Sequence, residues 1–196
     1  YSRTYNLHRK IPLLEVLILD NRILKMADEL QGSRVAPIFS NFFFYKPGGE
    51  DSGTVPHQDN SGPQTAYGKL LVCGVMLDDV NDETGGLVLY PRSHLIGDLP
   101  WPSRFETMVN SSWFAKVFME DVYSLGSKIQ IPSGCKPLRL RCGAGTLIFF
   151  HGSMIHHSTK NLSPSKWRRT LYLHYVNEGT KFLRGWDAQR KVMARP

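Results

Sequence analysis

From Ala36 onward the chain is cut into short apolar segments separated by clusters of turn-forming residues, and this punctuation limits the fold more than any other feature. Ala36–Tyr45, Thr54–Asp59, Leu70–Leu77, Gly86–Tyr90, Pro137–Arg141, Thr146–Phe150 and Thr170–Val176 have the length and the β-branched or aromatic content of strands. Between them stand Pro47, Gly48, Gly49, Asp51, Ser52 and Gly53, and later Asn81 to Gly86, which supply turn geometry. The chain before this point reads as helical. Leu13, Leu14, Leu17 and Ile18 recur at helical spacing, and Asp20 or Asn21 caps a second helix, Asn21–Gln31, which Gly32 ends. The expectation is a mainly β protein with flanking helices and a double-stranded β-helix (jelly-roll, cupin-type) core. Residues 100–133, with Trp101, Trp113 and several phenylalanines, read as short helices inside an insertion. One domain is expected over 1–196: a helical part to about 34, a core over about 35–178 and a tail over 179–196.

Chemistry enters at three places. His57-Gln58-Asp59 falls on an expected strand, so an imidazole and a carboxylate two residues apart share a face and can converge on one ion. Phe149-Phe150-His151-Gly152-Ser153-Met154-Ile155-His156-His157-Ser158 runs from an apolar strand into a histidine-rich segment. One of its three histidines is a candidate third ligand, although a structural role is the preferred reading for His151 and His157. Two histidines and a carboxylate with open coordination positions make the facial triad of non-haem Fe(II) oxygenases, which must bind a cosubstrate and O₂. Arg168-Arg169 stands at the start of the strand Thr170–Val176. A guanidinium projecting into the barrel there needs a compensating anion, and its forked donors suit a carboxylate such as the distal end of 2-oxoglutarate. Arg169 reads as a surface residue.

The order of these segments, more than any one of them, resembles the phytanoyl-CoA dioxygenase family of Fe(II)/2-oxoglutarate oxygenases. The likeness is carried by Ser40-Asn41-Phe42-Phe43-Phe44-Tyr45-Lys46-Pro47, by Val55-Pro56-His57-Gln58-Asp59, and by Leu77-Asp78-Asp79-Val80 leading to Gly85-Gly86-Leu87. It continues through Tyr90-Pro91-Arg92-Ser93-His94-Leu95-Ile96-Gly97, Gly143 to Gly152, and Ile155-His156-His157-Ser158 with Asn161 and Arg168, spanning about residues 11 to 178. The resemblance implies a metal triad of His57, Asp59 and His156. It implies that Arg168, Ser158 and Phe42 contact 2-oxoglutarate, and that Fe(II), 2-oxoglutarate and O₂ are required. The loop before the arginine is one residue longer than in many relatives, which keeps Arg169 as the alternative. His94 matches a family turn and is not expected to be a ligand. Relatives that halogenate carry a small residue where Asp59 stands, so hydroxylation of a small organic substrate is expected here. The family's stretch before the first helix is short in this chain. Candidate substrate contacts are Lys46, Gln64, Trp101, Arg104 and Trp113, with Phe114 beside them.

The formal charge of +7 is scattered; the densest groups are Lys166-Trp167-Arg168-Arg169 and the span from Arg184 to Arg195. This suits an acidic or acyl-type small molecule better than a polyanion. No nucleic-acid partner is expected, because six residues after Arg168, where nucleic-acid demethylases on this scaffold have a second arginine, stands His174. The other readings carried forward are a non-catalytic binding module, a zinc cupin, since this ligand set also suits zinc, and a nucleic-acid-acting oxygenase. No apolar run approaches the ~20 residues that cross a bilayer, so no membrane insertion is expected. Cys73, Cys135 and Cys142 lack disulfide or C-x-x-C spacing, which fits reduced thiols in an intracellular, cytoplasmic protein. The chain opens on Tyr1 rather than Met, which leaves organellar targeting open.

Overall fold

Helix α1 (Pro12–Ile18) begins on a proline, whose missing N–H has no intrahelical partner to lose at that position. Helix α2 (Asn21–Gln31) is capped by Asp20, whose carboxylate accepts from the Arg22 amide at 2.9 Å. It is closed by Gly32 in the left-handed conformation, as the sequence predicts. Ile18, Ile23, Leu24 and Ala27 form the buried stripe of this pair.

The computed structural model describes residues 3–49, 53–99, 129, 131–182 and 192–195. Its strands are β1 (Arg3–Tyr5), β2 (Val35–Tyr45), β3 (Thr54–His57), β4 (Leu70–Met76), β5 (Leu87–Leu89), β6 (Leu138–Arg139), β7 (Leu147–His151), β8 (His156–Ser158) and β9 (Arg168–Asn177). They form a five-stranded sheet in the order β1-β2-β9-β4-β7 and a four-stranded sheet in the order β3-β8-β5-β6. Every pairing is antiparallel. Two facing antiparallel sheets with helices outside are the jelly-roll core that the turn pattern implies.

Side-chain alternation on the five-stranded sheet explains the layering. Leu171, Leu173 and Tyr175 of β9 face outward and pack with Leu71, Cys73 and Val75 of β4 against Ile18, Leu24 and Ala27 of the helices. Val72 and Phe150, with Tyr172 beside them, face inward against Leu87 and Leu89 of the smaller sheet. The inner face of β9 therefore carries Arg168, Thr170, Tyr172, His174 and Val176. A site between the sheets sees these residues and not their neighbours.

Three local expectations change. Strand β3 ends at His57, and Asp59 opens a 3-10 turn over Asp59–Ser61, so the two side chains converge across a strand end and not along one strand. The polar segments β1 and β8 are strands that their composition hides; β8 is held between β3 and β5. Strand β9 begins two residues earlier than expected, at Arg168. Of the expected insertion, residues 129 and 131–133 are described and carry neither helix nor strand; the rest lies outside the described residues. Gly53 has φ +76, and a Cβ there would stand 2.3 Å from the Ser158 carbonyl oxygen, so β3 lies against β8 only because this residue has no side chain.

Candidate metal centre

His57, at the end of β3, Asp59, in the turn after it, and His156, at the start of β8, bring one ligand atom each within 4.8 Å of one another. Nε2 of His57 lies 3.4 Å from Asp59 Oδ1, and Nε2 of His156 lies 3.7 Å from Asp59 Oδ2. Both rings are fixed from behind. His57 Nδ1 is 2.7 Å from the Val55 carbonyl oxygen and His156 Nδ1 is 3.0 Å from that of Met154. Only a protonated Nδ1 donates to a carbonyl, so each Nε2 presents a lone pair toward the carboxylate. Two lone pairs and a carboxylate aimed at one point fit a divalent cation. Burial, with His57 beside it, pulls His156 down to about 4, so this imidazole is neutral at physiological pH and able to ligate.

Gln58, between the two ligands, points away from them. Its amide donates to the carbonyls of Ser153 at 2.7 Å and Gly97 at 3.0 Å, and its Oε1 accepts from the Leu99 amide at 2.8 Å. It ties the His57–Asp59 turn to the loop that leads into β8. Asn161, fully buried, does the same for the loop before β9 by donating to the carbonyls of Tyr45 and Lys166.

Arg168 is 2% exposed, and its guanidinium stands 3.9 Å over the Tyr45 ring. One nitrogen donates to the Thr159 carbonyl oxygen at 3.3 Å, while Nε is buried with no partner among the described residues. A buried cation without a carboxylate is costly, and an anionic ligand relieves it. Ser158 lies at the same end. Its hydroxyl is 3.3 Å from Tyr45 Oη and 3.1 Å from Thr54 Oγ1, so three hydroxyls and a guanidinium gather beside the triad. Arg169 points the other way, half exposed and bidentate with Asp78 at 2.9 and 2.7 Å.

Phe42 is not brought into this group. Its partner across the sheet is Leu171, so it sits on the outer face and packs on the helix-side cluster, whereas its strand neighbour Tyr45 faces inward. Lys46 is exposed just beyond β2, and Gln64 sits in the turn after Asp59, its amide donating to the Ser61 carbonyl oxygen at 3.4 Å. Trp101, Arg104, Trp113 and Phe114 lie outside the described residues. His151 accepts from the Ser153 amide and stacks on His94, away from the triad; His157 alternates outward on β8 beside Tyr90. Sequence reasoning gives Tyr45 and Thr54 no role at the site, and it takes His174 only as a departure from the arginine spacing of nucleic-acid demethylases. The alternation Arg168, Thr170, Tyr172, His174 against Leu171, Leu173, Tyr175 was the available signal for His174.

Comparisons with known proteins bear on the family and the fold. The chain is 27% identical over 197 residues to phytanoyl-CoA dioxygenase 1 of Oryza sativa subsp. japonica and 28% identical over 192 residues to phytanoyl-CoA dioxygenase of Arabidopsis thaliana. Each alignment covers 97% of this chain and 62% of the relative, so the chain spans less than two thirds of those proteins. Among solved structures it resembles the non-heme alpha ketoglutarate dependent epimerase SnoN from nogalamycin biosynthesis, with a TM-score of 0.68 at 19% identity over 93% of this chain and 63% of that one. EctD from S. alaskensis, solved with 2-oxoglutarate and 5-hydroxyectoine, gives a TM-score of 0.67 at 18% identity over 100% of this chain and 65% of that one. At these identities the likeness shows the shared fold. The profile of the family described as phytanoyl-CoA dioxygenase (PhyH) matches residues 2–170, and the chain belongs to that family.

Proposed function

We propose that this chain is an Fe(II)- and 2-oxoglutarate-dependent dioxygenase that hydroxylates a small organic substrate, acidic or acyl-type, and releases succinate and CO₂. The observation that carries this reading is the pairing of a three-donor cluster with a buried, unmatched arginine at the same end of the barrel. A zinc site by itself accounts for the first and leaves the second without a role. Bound Fe(II) supplies the activation of O₂ that hydroxylation requires.

The positions of the residues support the following roles. His57, Asp59 and His156 hold the metal. Arg168 takes the distal carboxylate of 2-oxoglutarate through its free Nε edge, and Ser158, Tyr45 and Thr54 supply hydroxyls to the same group. The Tyr45 ring covers one face of the guanidinium and shields it from water, which strengthens its hold on the carboxylate. Asp59 occupies the position that halogenating relatives leave small, which supports hydroxylation over halogenation. Lys46 and Gln64, with Trp101, Arg104 and Trp113, are the proposed substrate contacts. The net charge of +7 favours an anionic substrate. No helix among the described residues is long and apolar enough to cross a membrane.

The test needs no substrate. Anaerobic Fe(II) and 2-oxoglutarate added to the protein are expected to give the weak visible charge-transfer band of a keto acid chelated on ferrous iron. Asp59→Ala is expected to remove it. Folded protein that shows no band, but binds zinc tightly, would overturn the oxygenase reading.

A further inference from the structure

A fourth imidazole stands behind the carboxylate of the triad. His174 lies on the inner face of β9, in line with Arg168, and is fully buried. Its Nε2 is 3.3 Å from Asp59 Oδ2. Its ring is stacked on Phe39, its partner across β2, with centroids 3.7 Å apart and planes 13° from parallel. The strand fixes the height of the ring and the stack fixes its plane. His174 is not one of the three residues whose ligand atoms all lie within 4.8 Å of one another, so it addresses the carboxylate from outside the cluster.

The two oxygens of Asp59 thus have different neighbours. Oδ1 faces His57 Nε2 at 3.4 Å, while Oδ2 faces His174 Nε2 at 3.3 Å and His156 Nε2 at 3.7 Å. His57 and His156 spend their ring protons on backbone carbonyls through Nδ1 and have none to give from Nε2. His174 is the reverse case: its buried Nδ1 has no partner among the described residues, so the proton belongs on Nε2, where a carboxylate oxygen accepts it. An oxygen engaged by an N–H donor is the poorer metal ligand, which leaves the other oxygen for the ion.

We propose that His174 is a positioning residue for the metal: by donating from Nε2 to Asp59 Oδ2 it presents Asp59 as a single-oxygen ligand, through Oδ1, between His57 and His156. The inference rests on the metal-binding reading given above. A one-oxygen carboxylate keeps free the coordination positions that a chelating keto acid and O₂ need.

Co(II) alone is the probe, titrated into the whole chain under argon and followed by its d–d absorption, with thermal melts of the metal-free proteins alongside. His174→Phe keeps a ring to stack on Phe39 and removes the donor; His174→Gln keeps a donor. The Phe variant is expected to bind Co(II) about 10- to 100-fold more weakly than wild type, the usual effect of losing such a supporting bond. The Gln variant is expected to recover to within about 3-fold, as retention of the donor predicts. A folded Phe variant with wild-type affinity overturns the proposal. So does a Gln variant as weak as Phe, which would mark His174 as a ligand in its own right or as packing. Should the Phe variant not fold, His174→Gln is compared with His174→Asn, whose shorter amide falls short of Asp59; equal affinities again overturn it. Wild-type protein that binds no Co(II) defeats the metal reading itself, a failure distinct from that of His174.

Discussion

The five-stranded sheet contains two long strands, β2 of 11 residues and β9 of 10, while the strands of the four-stranded sheet have 4, 3, 3 and 2 residues. The larger sheet is covered on its outer face by the helices and on its inner face by the smaller sheet. The smaller one ends in β6, both of whose residues are exposed. Yet the short sheet carries both histidines of the candidate triad, and the long sheet contributes the arginine and His174. Short strands hold ligands steady here because side chains brace them. Gln58 spans three segments, and the Val55 and Met154 carbonyls fix the two rings. The lesson is that rigidity at the site comes from side chain-to-backbone bonds on one sheet and from packed core on the other.

This contrast can be broken at several points. The largest effect is expected at the braced sheet: Asp59→Ala should abolish Fe(II)-dependent turnover of 2-oxoglutarate, measured as succinate, while the apo protein melts as a folded domain. Next come the adjacent arginines of β9, which face opposite ways. Arg168→Ala should weaken 2-oxoglutarate by about 2–5 kcal/mol in calorimetric titration, as loss of one partner of a buried charge pair does. Arg169→Ala removes only an exposed pair with Asp78 and should cost less than about 1 kcal/mol of stability, with 2-oxoglutarate affinity unchanged. Equal effects at 168 and 169 would erase the assigned facing.

Packing gives a purely structural contrast. Leu173 is fully buried under the helices and Leu138 is 49% exposed on β6. Leu173→Ala should cost about 2–5 kcal/mol in urea unfolding and Leu138→Ala about 0.5 kcal/mol or less. A further contrast lies in pH dependence. Burial, with Arg9 and His174 adding to it, lowers His8 to about 4, below the ordinary 6.5. A depressed histidine stays neutral in the folded protein while the unfolded chain takes up a proton. Its contribution is therefore fully present above pH 6.5 and is lost as pH falls from 6.5 toward 4. His8→Gln should flatten that slope, read from unfolding curves across the interval.

The long strands were legible in the sequence because their apolar runs and flanking glycines leave no other use for them. Helix α2 was legible from its two caps. Strand β8, His156-His157-Ser158, was not, because a three-residue polar strand has no apolar pattern of its own and exists through its pairing with β3 and β5. The convergence of residues 57 and 59 was expected from strand alternation and arises instead from a strand end followed by a 3-10 turn. The family segment groups Phe42 with the cosubstrate, but side-chain alternation along β2 puts Tyr45, and not Phe42, on the inner face. The inner face of β9 could have been read from its polar–apolar alternation, which also separates Arg168 from Arg169.

The central claim is that the triad on the short sheet and the buried arginine on the long sheet form one oxygenase site. Succinate production from 2-oxoglutarate under air, with Fe(II) and ascorbate, tests it most directly in wild type, Asp59→Ala and Arg168→Ala side by side. The account predicts iron-dependent succinate from the wild type, none from Asp59→Ala, and recovery of Arg168→Ala only at greatly raised 2-oxoglutarate. Succinate formed equally well by all three folded proteins, or by none of them, would contradict it.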